Sequence, residues 1–205
     1  NLQSATLQGA KLVRAYMARV NAQVARFSEA DLTEANLERA NLQAADLRGC
    51  RVDGVKLGRA SMQAANLEGL NLRGQDLQHT NMQAVRMARA VLAEANLDHA
   101  NMQAAYLNEV DLRGASLDHT NLQAANLSGA LLAGNHLSHT NLQAARLDRA
   151  DLKGAVLEHV NMQAASLREA DLRERFVDPR LDCPIGVADV FGARIARFGL
   201  AEQRE

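Results

Sequence analysis

The feature that most constrains the fold is an apolar residue at every fifth position from Leu2 to Leu172. All 35 of these positions are apolar, 26 of them are Leu, and the six Met residues of the chain occupy six of the other nine. Two positions before them, from Ala5 to Ala170, 22 of 34 residues are Ala. A period of five fits neither the 3.6-residue turn of an α-helix nor the two-residue alternation of a strand. The pattern predicts a chain that turns inward once in every five residues.

Glycine and proline follow the same period. Of the ten Gly residues before Leu172, nine lie two positions after the central apolar residue, and no Pro precedes Pro179. A recurring turn places its positive-φ residue, a role for which Gly is best suited, at one fixed position. The missing Pro indicates that backbone N–H groups pair between neighbouring turns of the chain. Because aromatic residues make up only 3% of the chain, the interior is predicted to be narrow and filled by Leu and Ala.

The run ADLTEANLERANLQAADL at 30–47 resembles the A(D/N)LXX consensus of the pentapeptide-repeat proteins, and the resemblance extends over residues 1–175. It implies an all-β solenoid, a right-handed quadrilateral β-helix in which four pentapeptides form one square coil. Residues twenty positions apart then stack directly above one another. At sheet spacing, residues 1–175 would form about nine such coils.

The C-terminal segment 176–205 departs from the five-residue period. Residues 188–201 place Phe191, Ile195 and Phe198 at helical spacing, which predicts a short helix. The open end of a β-helix exposes unpaired backbone and apolar side chains, so we expect this segment to cap the last coil. The alternative, suggested by the resemblance, is a contact between two copies of the chain in a homodimer.

One predicted face carries nearly the same outward residues in every coil. The stretch HTNLQAA at 119–125 returns unchanged at 139–145, and close variants recur every twenty residues. We name this surface the Gln-Ala face. Its candidate interface residues are Gln83, Ala84, Gln103, Ala104, Gln123, Ala124, Gln143, Ala144, Gln163 and Ala164. A third column on the face is mainly Asn, and we expect its stacked amides to form a structural ladder. The uncharged surface is either a docking strip for a protein partner or a product of turn geometry and repeat duplication.

A column of five His residues borders the Gln-Ala face, and Arg59, Arg39 and Arg19 continue it toward the N-terminus. We call it the His column: His79, His99, His119, His139 and His159. Its imidazoles could coordinate a borderline metal with Asp98, Asp118 or Glu158, or respond to pH. They could also contact an acidic partner, or simply occupy a corner that tolerates planar side chains. Because the spacing does not converge into a closed site, we expect no bound metal.

Neither motifs nor composition indicate catalysis or a cofactor. The chain has no G-x-S-x-G, HExxH, CxxC or Gly-rich phosphate loop, and Cys50 falls at an inward position where it is expected to be inert. The formal net charge of −1 argues against direct binding of nucleic acid or of an anionic membrane. No run of eighteen apolar residues is present to span a membrane. Two cysteines fit a reducing, cytoplasmic location.

These observations together predict a non-enzymatic bacterial scaffolding or protein-interaction module. The resemblance implies an alternative, because the best understood branch of that family binds DNA gyrase through an acidic, DNA-like rod and protects it from quinolones or peptide toxins. This chain departs from that branch: it is near neutral, Phe27 is the only Phe at a central position, and Cys50 is the only inward Cys. A second alternative is a targeting or positioning domain of a larger multidomain protein.

Overall fold

The computed structural model describes residues 1–173 and has the four-sided solenoid architecture that the resemblance to pentapeptide-repeat proteins implies. Residues twenty positions apart form parallel bridges, such as Thr6 with Arg26 and Asn21 with Asn41. Bridge positions recur every five residues, so one coil of twenty residues has four faces. Within 1–173 there is no helix and no strand longer than one bridge residue.

We number the four faces by the residues of the second coil. Face 1 contains 21–25, face 2 contains 26–30, face 3 contains 31–35 and face 4 contains 36–40. Face 1 is the Gln-Ala face, and the His column lies at the end of face 4, where the chain turns into face 1.

Nearly every pentapeptide of the described residues forms a four-residue turn closed by a backbone hydrogen bond. On face 1 of the third coil, the N–H of Ala45 donates to the carbonyl oxygen of Leu42 over 2.9 Å. The third residue of every turn from Ser4 to Glu169 has a positive φ, whether or not it is Gly. A positive φ at that position is the signature of a type II turn. The expectation that Gly marks the recurring turn is confirmed.

Every backbone N–H of a pentapeptide such as 41–45 has an acceptor, which is either a backbone carbonyl oxygen or the side-chain oxygen of Asn41. The N–H of Leu42 donates to Ser61 O over 2.7 Å, that of Ala44 to Gln63 O over 2.8 Å, and that of Asn41 to Val20 O over 2.9 Å. The N–H of Gln43 donates instead to Oδ1 of Asn41 over 3.2 Å. An Asn or Asp before the central residue therefore supports the turn by accepting this N–H. It is not required, because residues such as Arg26 and Tyr106 hold the same position in other turns.

The core consists of the central apolar residues and the small residues two positions before them. From Ala22 to Leu172 every central residue is buried, and Phe27 is accommodated with none of its surface exposed. Polar residues at inward positions bond to carbonyl groups: the hydroxyl of Thr120 donates to Leu97 O over 2.9 Å, and the amide of Asn135 donates to Leu112 O over 2.7 Å. The solenoid therefore tolerates a buried hydroxyl or amide where a carbonyl oxygen of the preceding coil accepts its proton.

The expected C-terminal cap lies outside the described residues. This applies to the whole segment 176–205, including the helix expected at 188–201 with Phe191, Ile195 and Phe198. Among residues 1–173, no helix is long and apolar enough to cross a membrane.

Candidate functional site

The Gln-Ala face is a flat strip in which the same three outward residues stack coil upon coil. Parallel bridges join Asn81 to Asn101, Asn101 to Asn121 and Asn121 to Asn141, which fixes the register of the whole face. The Gln column is half-buried along most of its length, and the Ala column at its edge is mostly exposed. In the second coil a Val, Val24, replaces the Ala and is 56% exposed. The strip thus presents small side chains and amides, with no charged residue among its outward columns.

The Gln side chains of this face form a hydrogen-bonded ladder along the solenoid axis. From Gln63 to Gln163, the side-chain amide of each Gln donates to the side-chain carbonyl oxygen of the Gln in the next coil, over 3.1 to 3.4 Å. Gln23 donates to Gln43 in the same way over 2.7 Å. All these amides point in one direction, which gives the face an ordered row of aligned dipoles. The sequence analysis singled out this column but did not predict the ladder.

The expected Asn ladder is present only in part. Side-chain amides bond along the axis from Asn121 to Asn101 and from Asn141 to Asn121, over 3.2 and 3.3 Å. The more general role of the Asn side chains is local, because Oδ1 of each accepts the N–H of the Gln two residues later, as Asn101 does for Gln103 over 3.3 Å. The Asn column therefore supports the turn backbone that carries the Gln ladder.

Turn geometry does not explain why Ala recurs on face 1 alone. The positive φ that Ala44 adopts, 54°, is matched by 57° at Glu34 on face 3 and 58° at Glu109 on face 2. All four faces place the same strain on this position, which is relieved only by Gly. Of the interpretations left open by the sequence, repeat duplication and a docking strip therefore remain for the Ala column.

Faces 2 and 3 carry ion pairs between coils and within single turns. The guanidinium of Arg149 lies 2.9 Å from Glu169, that of Arg14 lies 2.6 Å from Glu34, and Arg113 bonds the Asp111 carboxylate from within the same turn over 2.7 Å. The hydrogen bonds from Arg113 hold the pKa of Asp111 below its ordinary value. A shallow depression on face 2 is lined by charged side chains, including Glu109, Arg149 and Glu169. Such exposed pairs contribute little to stability, but they place opposite charges side by side on these faces.

The imidazoles of the His column are stacked. Their ring centroids are separated by 5.0 Å from His79 to His99, 5.0 Å from His99 to His119, 4.6 Å from His119 to His139 and 5.0 Å from His139 to His159. Each of these residues has a positive φ between 52° and 57°, a conformation in which His is enriched among non-Gly residues. The rings are therefore held in line by the turn positions of the coils.

Asp118 contacts two rings of this column. Its Oδ1 lies 3.0 Å from Nδ1 of His119 and 3.3 Å from Nδ1 of His139. Partial burial by itself raises the pKa of Asp118, but hydrogen bonds from the two rings outweigh it and hold the pKa below its ordinary value. Asp98, one coil earlier, is held differently: it accepts the hydroxyl of Ser116 and the N–H of Asp118, the latter over 3.0 Å. The structure thus gathers one of the three proposed oxygen ligands with two of the five His residues.

Cys50 is buried at the inward position that its place in the period predicts. Its thiol donates to Phe27 O over 2.9 Å, and burial raises the pKa of the thiol to about 11. Because the thiolate is the reactive form, this cysteine is a poor nucleophile near neutral pH.

Known proteins with the same repeat match most of the chain. The family model of pentapeptide repeats matches in eight copies, over residues 1–39, 25–59, 56–93, 75–108, 95–134 and 136–173. HetL, a pentapeptide repeat protein involved in heterocyst differentiation regulation in the cyanobacterium Nostoc sp. strain PCC 7120, is 27% identical with a TM-score of 0.53, and the match covers 80% of this chain and 81% of HetL. Rfr23 from the cyanobacterium Cyanothece 51142 is 30% identical with a TM-score of 0.50, over 51% of this chain and 85% of its own.

A third solved structure is less similar. QnrB1, a plasmid-mediated fluoroquinolone resistance protein, is 19% identical with a TM-score of 0.44, over 82% of this chain and 90% of its own, and a similarity at this level carries no argument about function. No curated protein sequence matches the chain significantly.

Proposed function

The chain belongs to the pentapeptide-repeat family, and from that premise we propose that it is a non-enzymatic scaffolding or protein-interaction module whose working surface is the Gln-Ala face. The partner is a protein, or a second copy of the chain in a homodimer. Neither a cofactor nor direct contact with nucleic acid or a membrane is part of this function. We place the protein in the bacterial cytoplasm.

The observation that carries the proposal is the contrast between the uncharged face 1 and the charged faces 2 and 3. Ion pairs such as Arg149–Glu169 on face 2 and Arg14–Glu34 on face 3 satisfy charges within the molecule. Face 1 presents exposed Ala methyl groups beside amides that the ladder already holds in place. Burying it would desolvate no charge, and the ladder lowers the conformational entropy that its side chains would lose on binding.

The test is to place bulk and charge on this face. In the variant Ala124→Arg/Ala144→Arg, two long cations project from the middle of the strip, and association through it is expected to be lost. The variant and the unmodified chain are compared by affinity capture from bacterial lysate and by light scattering of the purified proteins.

The matched control is Gly74→Arg/Gly134→Arg on face 3. Both glycines hold the same turn position, a Cβ added at either meets nothing within 4 Å, and Arg14 already stands in their column. A partner or a dimer that is lost in the face 1 variant and kept in the control supports the proposal. The proposal is contradicted if all three proteins capture the same partners and have the same mass in solution by light scattering.

The gyrase alternative requires a surface that resembles duplex DNA. Such a surface needs rows of carboxylates in excess of the positive charges, whereas the formal net charge of the chain is −1, and carboxylates such as Asp111 and Glu169 are paired with an Arg. The pairing therefore favours the scaffold over a DNA mimic. The capture experiment distinguishes the two functions. If the chain were a DNA mimic, it would capture gyrase through an acidic face, and the face 1 variant would still capture it. A positioning domain of a larger protein is compatible with the same docking face.

The finer architecture belongs to this proposal. We infer a right-handed rod of about nine coils over 1–175 at sheet spacing, followed by a separate segment 176–205. In that segment the helix at about 188–201 covers the last coil through Phe191, Ile195 and Phe198, or provides the contact between two copies.

A further inference from the structure

We propose that Asp118, His119 and His139 bind one divalent transition-metal ion such as Zn²⁺. Among residues 1–173, this is the only group of three His, Cys, Asp or Glu side chains whose ligand atoms all lie within 4.8 Å of one another. The site lies on the His column, beside the Gln-Ala face. It replaces the expectation from the sequence that the column holds no metal.

The distances between the three ligand atoms approach those of a coordination shell. Zn²⁺ bonds to imidazole nitrogen and carboxylate oxygen are roughly 2.0–2.2 Å long, so two ligands at near-tetrahedral or octahedral angles are roughly 3.0–3.4 Å apart. Oδ1 of Asp118 is 3.0 Å from Nδ1 of His119 and 3.3 Å from Nδ1 of His139. The two ring nitrogens lie within 4.8 Å of each other on stacked rings, so a bound ion would require these side chains to rotate toward each other. Both rings are about half exposed, at 49% and 48%, which leaves room for that rotation.

Neighbouring residues explain why the site forms at this coil. In the preceding coil, Oδ1 of Asp98 accepts hydrogen bonds from the hydroxyl of Ser116 and from the N–H of Asp118. These bonds hold the Asp98 carboxylate away from the rings. The residue that corresponds to Ser116 one coil later is His136, which cannot repeat the hydroxyl contact. Asp118 is therefore turned toward His119 and His139.

The ligand set determines the class of ion. Two imidazole nitrogens and one carboxylate oxygen suit Zn²⁺, Ni²⁺ or Cu²⁺, whereas Mg²⁺ and Ca²⁺ favour oxygen ligands. Binding through Nδ1 moves the proton of each neutral ring to Nε2, and Asp118 exchanges its two hydrogen bonds for one bond to the ion. Three protein ligands leave further coordination positions for water, or for a group from a partner docked on the adjacent face.

The test is a calorimetric titration of the full chain with ZnCl₂, using protein made without a polyhistidine tag. We expect saturable binding of one ion per chain and none of MgCl₂. The variants Asp118→Asn, His119→Asn and His139→Asn should each weaken Zn²⁺ binding at least tenfold, since even the outer partners of metal ligands contribute about tenfold or more. Asn suits the two His positions because it tolerates a positive φ.

The matched control is His79→Asn, which removes an imidazole from the same column at the same turn conformation, with φ of 54°. His79 stacks on His99 and is separated from the ligand His119 by that ring. Its Zn²⁺ affinity should therefore stay within about twofold of the unmodified chain, since effects of residues that are not in contact are usually additive. Circular dichroism confirms that each variant is folded. Binding that Asp118→Asn leaves unchanged, an equal loss in His79→Asn, several ions per chain, or no binding would each overturn the proposal.

Discussion

The third residue of each turn adopts a left-handed backbone conformation, and only a minority of these residues are Gly. Gly74 has a φ of 66°, and a Cβ added there meets nothing within 4 Å, so that Gly74→Ala changes the backbone preference alone. We expect it to lower the free energy of unfolding by about 1 kcal/mol. The measurement is the midpoint of urea unfolding, followed by circular dichroism.

Gly58 provides the control for this substitution. It lies one position earlier in its turn, has no positive φ, and also has open space around an added Cβ. Gly58→Ala should therefore leave the stability unchanged or raise it slightly, because it only reduces the freedom of the unfolded chain. If both substitutions destabilised the chain equally, the backbone explanation of the Gly pattern would be wrong.

At this scale the sequence predicted a great deal. The phase of Gly predicted the positive-φ position, and the phase of Leu predicted each central core residue, because a five-residue turn repeats the same backbone environment at every coil. It could not predict which way Asp118 points. The orientation of such a carboxylate depends on whether the residue eighteen positions later has a hydroxyl group that donates to it, as Ser116 donates to Asp98.

The hydrogen-bonded Gln ladder is the element that distinguishes the Gln-Ala face. Gln123 accepts from Gln103 over 3.3 Å and donates to Gln143 over 3.1 Å, so Gln123→Ala removes two bonds and leaves both neighbours unpaired on one side. The groups are half-buried, and we expect a loss of about 1 kcal/mol in the free energy of unfolding. Urea unfolding of the variant measures it.

Gln78→Ala is the control on face 4. Gln78 holds the same position in its turn but lies outside the ladder. Its backbone N–H donates to Oδ1 of Asp76 over 3.1 Å, and the substitution keeps this bond. Its effect on the free energy of unfolding should stay within about 0.5 kcal/mol, as is usual for surface changes. Equal losses for the two variants would show that the ladder adds nothing to the stability.

The column spacing predicted that amides would stack on this face, but it assigned the ladder to Asn. An Asn side chain is short enough that Oδ1 reaches the N–H two residues later, as Asn121 does for Gln123 over 3.2 Å. The longer Gln side chain extends beyond its own turn and reaches the next coil. Side-chain length, which the period alone does not take into account, explains why the Gln column bonds along most of the axis and the Asn column only from Asn101 to Asn141.

At the scale of the whole molecule, each coil pairs its backbone only with the coils before and after it. Bonds such as Leu42 N to Ser61 O and Asn41 N to Val20 O join positions nineteen to twenty-one residues apart, and the same contacts recur along the solenoid. Stability is then a sum of similar coil and interface contributions. Deletion of 1–40 should shorten the rod without unfolding the remainder.

In the shortened chain, Leu42 and Leu47 would take the end positions that Leu2 and Leu7 have in the intact one. Leu2 and Leu7 are only partly buried and still pack against the core, so a coil at the end of the stack remains ordered with one side open. We therefore expect the β signal per residue in circular dichroism to be kept, with urea unfolding shifted to a lower midpoint. If deletion of 1–40 abolished cooperative unfolding altogether, the contacts that hold the solenoid together could not be local to neighbouring coils.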